Sequence, residues 1–144
     1  MRPHAHLLPT KDCLCLAARR RARALTRLYE EKLRPHGLRA TQFSVLAALA
    51  LKGPAPIGAL ADFLVLERTT LTRAAAVMAK RGWLDTAAAT DGRERRLRLT
   101  AAGRRKLEAA FPAWSEAQES VRRGRPGEKQ TSPSPGERPT LTGV

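Results

Sequence analysis

The sequence predicts a mainly α-helical domain with one small β-wing. Three observations lead there. A short apolar run, Ile57 to Leu64, breaks at Val65-Leu66 and resumes as a longer periodic segment from Glu67 to Arg81. Two strand-like stretches, Trp83 to Ala88 and Arg95 to Thr100, flank Asp91-Gly92, a dipeptide suited to a tight hairpin turn. From Arg68 to Lys106, eleven residues are basic and three, Asp85, Asp91 and Glu94, are acidic. Helix, turn, helix and cationic ribbon in that order make a winged helix-turn-helix, which sets one helix into a DNA groove.

Composition agrees with a single small domain. The chain has 144 residues, 42% of them hydrophobic but only 4% aromatic, so alanine and leucine must fill the core by close helix packing. Its formal net charge of +14 predicts attraction to polyanions and a strong salt dependence. No stretch approaches the roughly 20 apolar residues of a membrane span, and Met1 to Lys11 lacks the apolar run of a signal peptide. With two cysteines there is no disulfide framework, and a cytoplasmic location, nucleoid-associated when bound to DNA, is the expectation.

In chain order, residues 1–11 form a disordered arm with Pro3 and Pro9, and Asp12 caps the first helix. From Cys13 to Arg34, Leu14, Ala18, Ala22, Leu25, Tyr29 and Leu33 fall on one helical stripe. Pro35-His36-Gly37 ends that helix. Thr41 caps the next, which runs to Lys52 with Phe43, Leu46, Ala47 and Ala50 as its buried stripe and Gly53 as its stop. Thr100 caps a last helix through Leu107, Phe111, Trp114 and Val121, which Pro112 must kink or divide. Phe111 and Trp114 read as core, with a ligand-pocket wall as the alternative. The domain therefore spans 12–121, with a DNA-binding core at 41–100. Residues 122–144, rich in Pro and Gly with almost nothing apolar, cannot offset their ordering entropy and form a disordered tail.

The helix over 67–81 has two faces. Leu71, Ala75 and Met78 recur at core spacing and should pack on Ile57, Leu60 and Leu64. Arg68, Thr69, Thr70, Thr72 and Arg73 gather at its front. Hydroxyls and guanidinium groups there can meet base edges and phosphates together, and the helix's positive end favours phosphate. The alternative is a solvated basic face, and the neighbouring basic ribbon weighs against it.

These residues resemble the MarR family of bacterial transcriptional regulators. The resemblance is carried by the helix-turn-helix, by Leu84 after Arg81-Gly82, by Asp91-Gly92-Arg93 and by Leu99-Thr100-Ala101-Ala102-Gly103. It extends upstream through Gly37-Leu38-Arg39-Ala40-Thr41-Gln42-Phe43-Ser44-Val45-Leu46 and covers about residues 11–121. It implies a homodimer that binds double-stranded DNA at a palindromic operator and represses or tunes neighbouring genes. The recognition helix 67–81 would lie in the major groove and the basic wing 91–98 in the minor groove. Arg93 or Arg95 would enter that groove beside Arg96, with Asp91 shaping the hairpin. The first and last helices would be the dimerisation helices. The family normally continues past the last helix with another that completes the dimer. The tail here instead suggests a truncated or frame-shifted end and a weakened dimer.

Two positions depart from the family pattern. Val65 stands in the inter-helix turn where glycine is usual, and a β-branched residue at positive φ there would be strained by about 1 kcal/mol or more. Glu67 is a poorer cap than Ser or Asp.

Cys13-Leu14-Cys15 heads the first helix, where a thiol gains thiolate character. Relatives in the resembled family that answer organic hydroperoxides sense oxidants with a cysteine near this position. Cys13 and Cys15 are therefore candidate redox-sensing residues, with a buried small hydrophobe as the alternative. A bond between them is not expected, because i and i+2 side chains on a helix point apart. His4 and His6 with Cys13 and Cys15 do not have the wide loops of a structural zinc site, so no metal is expected. No phosphate loop or acid–base pair occurs, so neither an enzyme nor a cofactor is expected. The effector would be an oxidant or a small molecule. Two other readings fit the same residues: a winged-helix module docking on an acidic protein, or a truncated paralogue unable to dimerise.

Overall fold

Leucines and alanines at helical spacing build the core, and residues in left-handed backbone cut the helices to length. The structure, a computed structural model, describes residues 4–88 and 94–124. Its elements are α1 (Leu14–Leu33), α2 (Ala40–Lys52), β1 (Ala55–Pro56), α3 (Ile57–Leu64), α4 (Arg68–Lys80), β2 (Leu84–Ala88), β3 (Arg95–Leu99) and α5 (Ala101–Arg123). β3 lies between β1 and β2 and runs antiparallel to both. This is the mainly helical fold with a small wing that the sequence predicts. β1 is an addition: Pro54 to Pro56 reads as a connector, yet Ala55 and Pro56 pair with Leu97 and Arg96.

Three helix ends use one hydrogen-bond pattern. After α1 and its short 3-10 turn, Leu38 N–H donates to the Leu33 carbonyl (3.4 Å) and Gly37 N–H to Arg34 (2.9 Å). After α4, Trp83 N–H reaches the Met78 carbonyl (3.0 Å) and Gly82 N–H reaches Ala79 (2.9 Å). After α3, Leu66 N–H reaches Ala61 (2.9 Å) and Val65 N–H reaches Asp62 (3.2 Å). These paired bonds satisfy the last helical carbonyls and require a left-handed residue at the turn. Gly37 and Gly82 provide it at φ 68° and 75°. At the third site Val65 does so at φ 54°, the one non-glycine residue with positive φ among those described.

The core is one cluster joining Leu33, Leu38, Phe43, Val45, Leu46, Leu49, Leu60, Leu71, Ala75, Met78, Leu84 and Leu97. The expected stripe of α4, Leu71, Ala75 and Met78, is buried and meets α3 through Leu60, with Ile57 and Leu64 partly buried beside it. In α2 the buried face is wider than predicted. Phe43, Val45, Leu46, Ala48 and Leu49 are buried, whereas Ala47 and Ala50 are half-buried. The helix is covered on more than one side, by α1 and α5 and also by α3, α4 and β3.

Other local readings are corrected. α2 begins two residues earlier than a Thr41 cap would allow. Arg39 is its N-cap, and the buried Gln42 side chain accepts from the Arg39 N–H at 3.0 Å, satisfying a buried amide and a helix end together. Asp12 does not cap α1; Cys13 holds that position without a capping bond. Ala5–Asp12 wind as exposed 3-10 turns, helped by a Thr10 hydroxyl bond to the Leu7 carbonyl at 2.8 Å. Pro112 does not divide α5, which runs unbroken to Arg123, two residues past the expected tail boundary. The wing tip at 89–93 and the tail from 125 lie outside the described residues.

Burial along α1 is confined to its C-terminal half. Of its predicted stripe, Leu33 is buried and Leu25 and Tyr29 are half-buried, but Ala18, Ala22 and Leu14 are exposed, Leu14 by 85%. Its C-terminal half packs on α5, where the Tyr29 hydroxyl donates to Gln118 Oε1 and Lys32 pairs with Glu116 at 3.3 Å. Phe43, Trp114 and Phe111 stack in sequence, with centroids 5.8 and 5.5 Å apart.

Val65 offers a direct test of strain. Its side chain is 90% exposed, so removing it loses little packing. Val65→Gly should raise stability by about 1 kcal/mol, the left-handed penalty outweighing the added freedom of the unfolded glycine. The urea midpoint should rise with the slope unchanged; an unchanged or lower midpoint would show that the turn is relaxed with valine.

Candidate nucleic-acid interface

The front of α4 is open by construction. Glu67 is the N-cap in extended backbone and makes no side-chain capping bond, so the first-turn N–H groups are left uncapped by it and face whatever lies ahead of the helix. At about 100° per residue, Thr69 and Arg73 fall opposite the buried Leu71, Ala75 and Met78, with Arg68 and Thr72 on one flank and Thr70 on the other. All five front residues are exposed. Thr72 donates its hydroxyl proton to the Arg68 carbonyl at 2.8 Å, which leaves its oxygen lone pairs as acceptors. Arg68 leans back over Gly58 at the start of α3.

The wing is an antiparallel pair in which Leu84 opposes Leu99, Asp85 opposes Arg98 and Thr86 opposes Leu97. Leu97 is buried and Leu99 half-buried, while Arg95, Arg96 and Arg98 are exposed. Strand alternation puts Arg96 and Arg98 on the outer face. Arg95 shares the Leu97 face but lies towards the tip, beyond the core. Of the wing candidates, Asp91 and Arg93 lie outside the described residues.

One of these arginines is committed. Arg98 grips Asp85 with both ends of its fork, Nε to Oδ1 and Nη2 to Oδ2, each at 2.8 Å. The basic wing 91–98 read from the sequence includes Arg98 as one more cation and gives the hairpin-shaping role to Asp91. The signal for the Asp85–Arg98 pair was present: equal steps outward from Asp91-Gly92 bring these two residues opposite one another. The hydrogen bonds from Arg98 hold the Asp85 carboxyl below its ordinary value against a small desolvation, and the guanidinium's charge adds to the effect. The same bonds raise Arg98.

Away from this surface, Cys13 and Cys15 are free and exposed, so neither is a buried hydrophobe in this chain. Cys13 sits outside the helix in extended backbone. The geometric reason for setting aside a Cys13–Cys15 bond applies to two helical residues, and this pair is not that. Among the described residues, no group of three or more His, Cys, Asp or Glu could hold a metal ion, and no helix is long and apolar enough to cross a membrane. An open groove of about 390 Å³ lies between α1, α2 and α5, lined by Leu25, Tyr29, Phe43 and Trp114 among others. Trp114 is thus both stacked core and groove wall, whereas Phe111 is half exposed.

Comparison with known proteins adds an independent line. The MarR family model matches residues 36–94. The HTH-type transcriptional regulator YwoH of Bacillus subtilis (strain 168) is 32% identical over 87 residues, 60% of this chain and 64% of its own. The match thus spans less than two thirds of that relative. The M. tuberculosis transcriptional regulator MosR is 38% identical, with a TM-score of 0.74 over 83% of this chain and 86% of that one. A second MosR structure, in complex with DNA, is 42% identical, with a TM-score of 0.71 over 78% and 83%.

The Asp85–Arg98 pair carries a pH signature. A carboxylate whose folded pKa is depressed adds stability above its unfolded value, and that stability is lost as pH falls through the folded value. Carboxyl NMR should therefore place the Asp85 midpoint below the about 3.9 of an unfolded aspartate, and Arg98→Gln should return it upward. An ordinary midpoint in the unaltered chain would mean that the pair does not form in solution.

Proposed function

The chain belongs to the MarR family of transcriptional regulators, and from that premise we propose that it is a repressor binding a palindromic operator as a homodimer. Members of this family are regulators and not enzymes. In the proposed complex α4 enters the major groove and presents Arg68, Thr69, Thr70, Thr72 and Arg73 to bases and phosphates. The wing, with Arg93, Arg95 and Arg96, follows the minor groove while Asp91 shapes its tip. The observation that carries this reading is the front of α4: a helix start with no side-chain cap from Glu67, with Thr69 and Arg73 opposite the buried Leu71, Ala75 and Met78 and Arg68, Thr70 and Thr72 on the flanks. The DNA-bound structure of MosR supports it. Within the same proposal, Cys13 and Cys15 are the groups an oxidant effector would reach, and the groove beside Trp114 is where a small molecule would lodge.

Selection of duplexes from a random pool by the full chain tests the proposal. A two-fold symmetric site should be enriched. On that duplex Arg95→Ala should reduce the slope of log affinity against log salt by about 0.9. Arg73→Ala should cost about 1–3 kcal/mol and relax preference at one base pair per half-site. Absence of enrichment over random sequence would overturn sequence-specific binding.

The dimer is proposed from the exposed apolar positions on α1 and α5: Leu14, Leu16 and the outer face of Phe111, whose other face stacks on Trp114. The sequence beyond α5 is Pro- and Gly-rich where the family carries a further helix. At roughly 25 cal/mol per Å², several hundred Å² of lost apolar contact removes several kcal/mol. We therefore expect a dimer that dissociates in the micromolar range and is held together by specific DNA. Sedimentation across concentrations measures this. A dimer persisting at nanomolar protein would show that the tail's composition is immaterial, and a monomer at every concentration would favour the truncated-paralogue reading.

A further inference from the structure

We propose that Gly58 is a positioning residue for DNA recognition: its missing side chain is the seat that fixes the Arg68 guanidinium at the front of α4. The inference rests on the reading of Arg68 as a DNA contact and goes one step behind it.

Gly58 lies in the first turn of α3 and is not among the glycines with positive φ. The backbone does not require glycine there, and a helix favours alanine over glycine. What requires it is space. A Cβ at position 58 would overlap Nη2 of Arg68 and stand 3.2 Å from its Cζ and 3.5 Å from its Nε. The three nearest atoms all belong to one guanidinium group, so the bare Cα of α3 is the surface it rests on.

Arg68 is also fixed at its other end. It is the first residue of α4, and its carbonyl accepts from the Thr72 hydroxyl at 2.8 Å. A long, exposed side chain at a helix start ordinarily samples many rotamers and loses that freedom when it binds. Here backbone and guanidinium are both placed before any duplex arrives, and a planar fork placed in advance loses less on forming paired hydrogen bonds. The turn at Val65-Leu66 brings the two helices to the spacing at which this works. Gly58 and Arg68 therefore act as one unit across the helix-turn-helix.

The Gly58→Ala variant separates this role from a structural one. The added methyl displaces only the far end of a flexible side chain, so the unfolding midpoint should hold or rise. Affinity for the duplex selected by the unaltered chain should fall roughly 3- to 10-fold. Affinity and salt slope on random duplex should stay unchanged, because no charge is lost. Arg68→Ala should weaken selected-duplex binding, and adding Gly58→Ala to it should cause no further loss, since the methyl then has no guanidinium to displace. Wild-type affinity in Gly58→Ala alongside a weakened Arg68→Ala would overturn the seat and leave the DNA-binding reading standing. An equal loss from Gly58→Ala with and without Arg68 would make the glycine a fold requirement and also overturn it. Wild-type binding by Arg68→Ala would remove Arg68 from the interface and take this inference with it.

Discussion

The arrangement depends most on one junction, where the end of α4, the base of the wing and the start of α5 meet at Thr100. Its hydroxyl donates to the Gly82 carbonyl at 2.6 Å and accepts from the Gly103 N–H at 3.0 Å, while its own N–H donates to the Trp83 carbonyl at 3.1 Å. One residue thereby caps α5 and closes the sheet against the turn that ends α4. Gly103 is buried against the same carbonyl: a Cβ there would overlap Trp83 O and lie 2.8 Å from Leu99 Cδ1. The Leu99-Thr100-Ala101-Ala102-Gly103 run therefore has a mechanical meaning, since its threonine makes the bonds and its glycine permits the approach. Trp83 is held from outside by Arg81 and Lys106, each about 5 Å from its ring centre. Arg81 in turn donates to the Gly37 carbonyl at 3.1 Å, tying the α1–α2 turn to the same point.

The helix-turn-helix itself contains a different compromise. Gly37 and Gly82 serve left-handed turns of the same bond pattern at no steric cost, whereas Val65 serves its turn at a cost and with its side chain in water. The turn persists because the alternative is worse: without it, the carbonyls of Ala61 and Asp62 lose their partners and Leu66 loses its place between the helices. Hydrogen-bond accounting thus sets the backbone, and the side chain accepts the strain.

What was legible in the sequence follows from the range of each interaction. Leu71, Ala75 and Met78 report their burial because periodicity encodes a face, and Gly37, Gly53 and Thr100 report helix ends because their chemistry is local. The Arg39–Gln42 cap was missed because Thr41 is a better cap in isolation, and only burial of Gln42 makes its back-bond the preferred solution. β1 was missed because a two-residue strand has no period to detect. Leu14, Ala18 and Ala22 lie on the predicted stripe yet are exposed, because periodicity identifies an apolar face without saying which molecule covers it. Of the candidate interface, the α4 front and the exposure of Arg95 and Arg96 were legible. The commitment of Arg98 to Asp85 and the dependence of Arg68 on Gly58 were not, since both are contacts between elements.

The electrostatics gain a finer grain from those two contacts. A formal charge of +14 draws any polyanion, and attraction of that kind carries no sequence information. Selectivity has to come from cations whose positions are fixed, and the structure divides them by what holds them. Arg98 is held by a carboxylate, so its charge is largely answered and it stiffens the wing. Arg81 is held by a carbonyl and a ring and stiffens the α1–α2 junction. Arg68 rests on the bare Cα of Gly58, a contact that uses neither its charge nor its donors. Of the three, this last arrangement alone leaves the donors free at a place where the side chain already rests, the condition under which a new hydrogen bond is gained at smaller entropic loss. Its position is in turn set by α2, which packs on α3 and α4 as well as on α1 and α5. Phe43 of α2 stacks on Trp114 of α5 while Val45, Leu46 and Leu49 sit in the core beneath α3 and α4. A shift of α5 relative to α1 would therefore press on α2 through that stack, and a close-packed core transmits displacement to α3 and α4 more readily than it absorbs it.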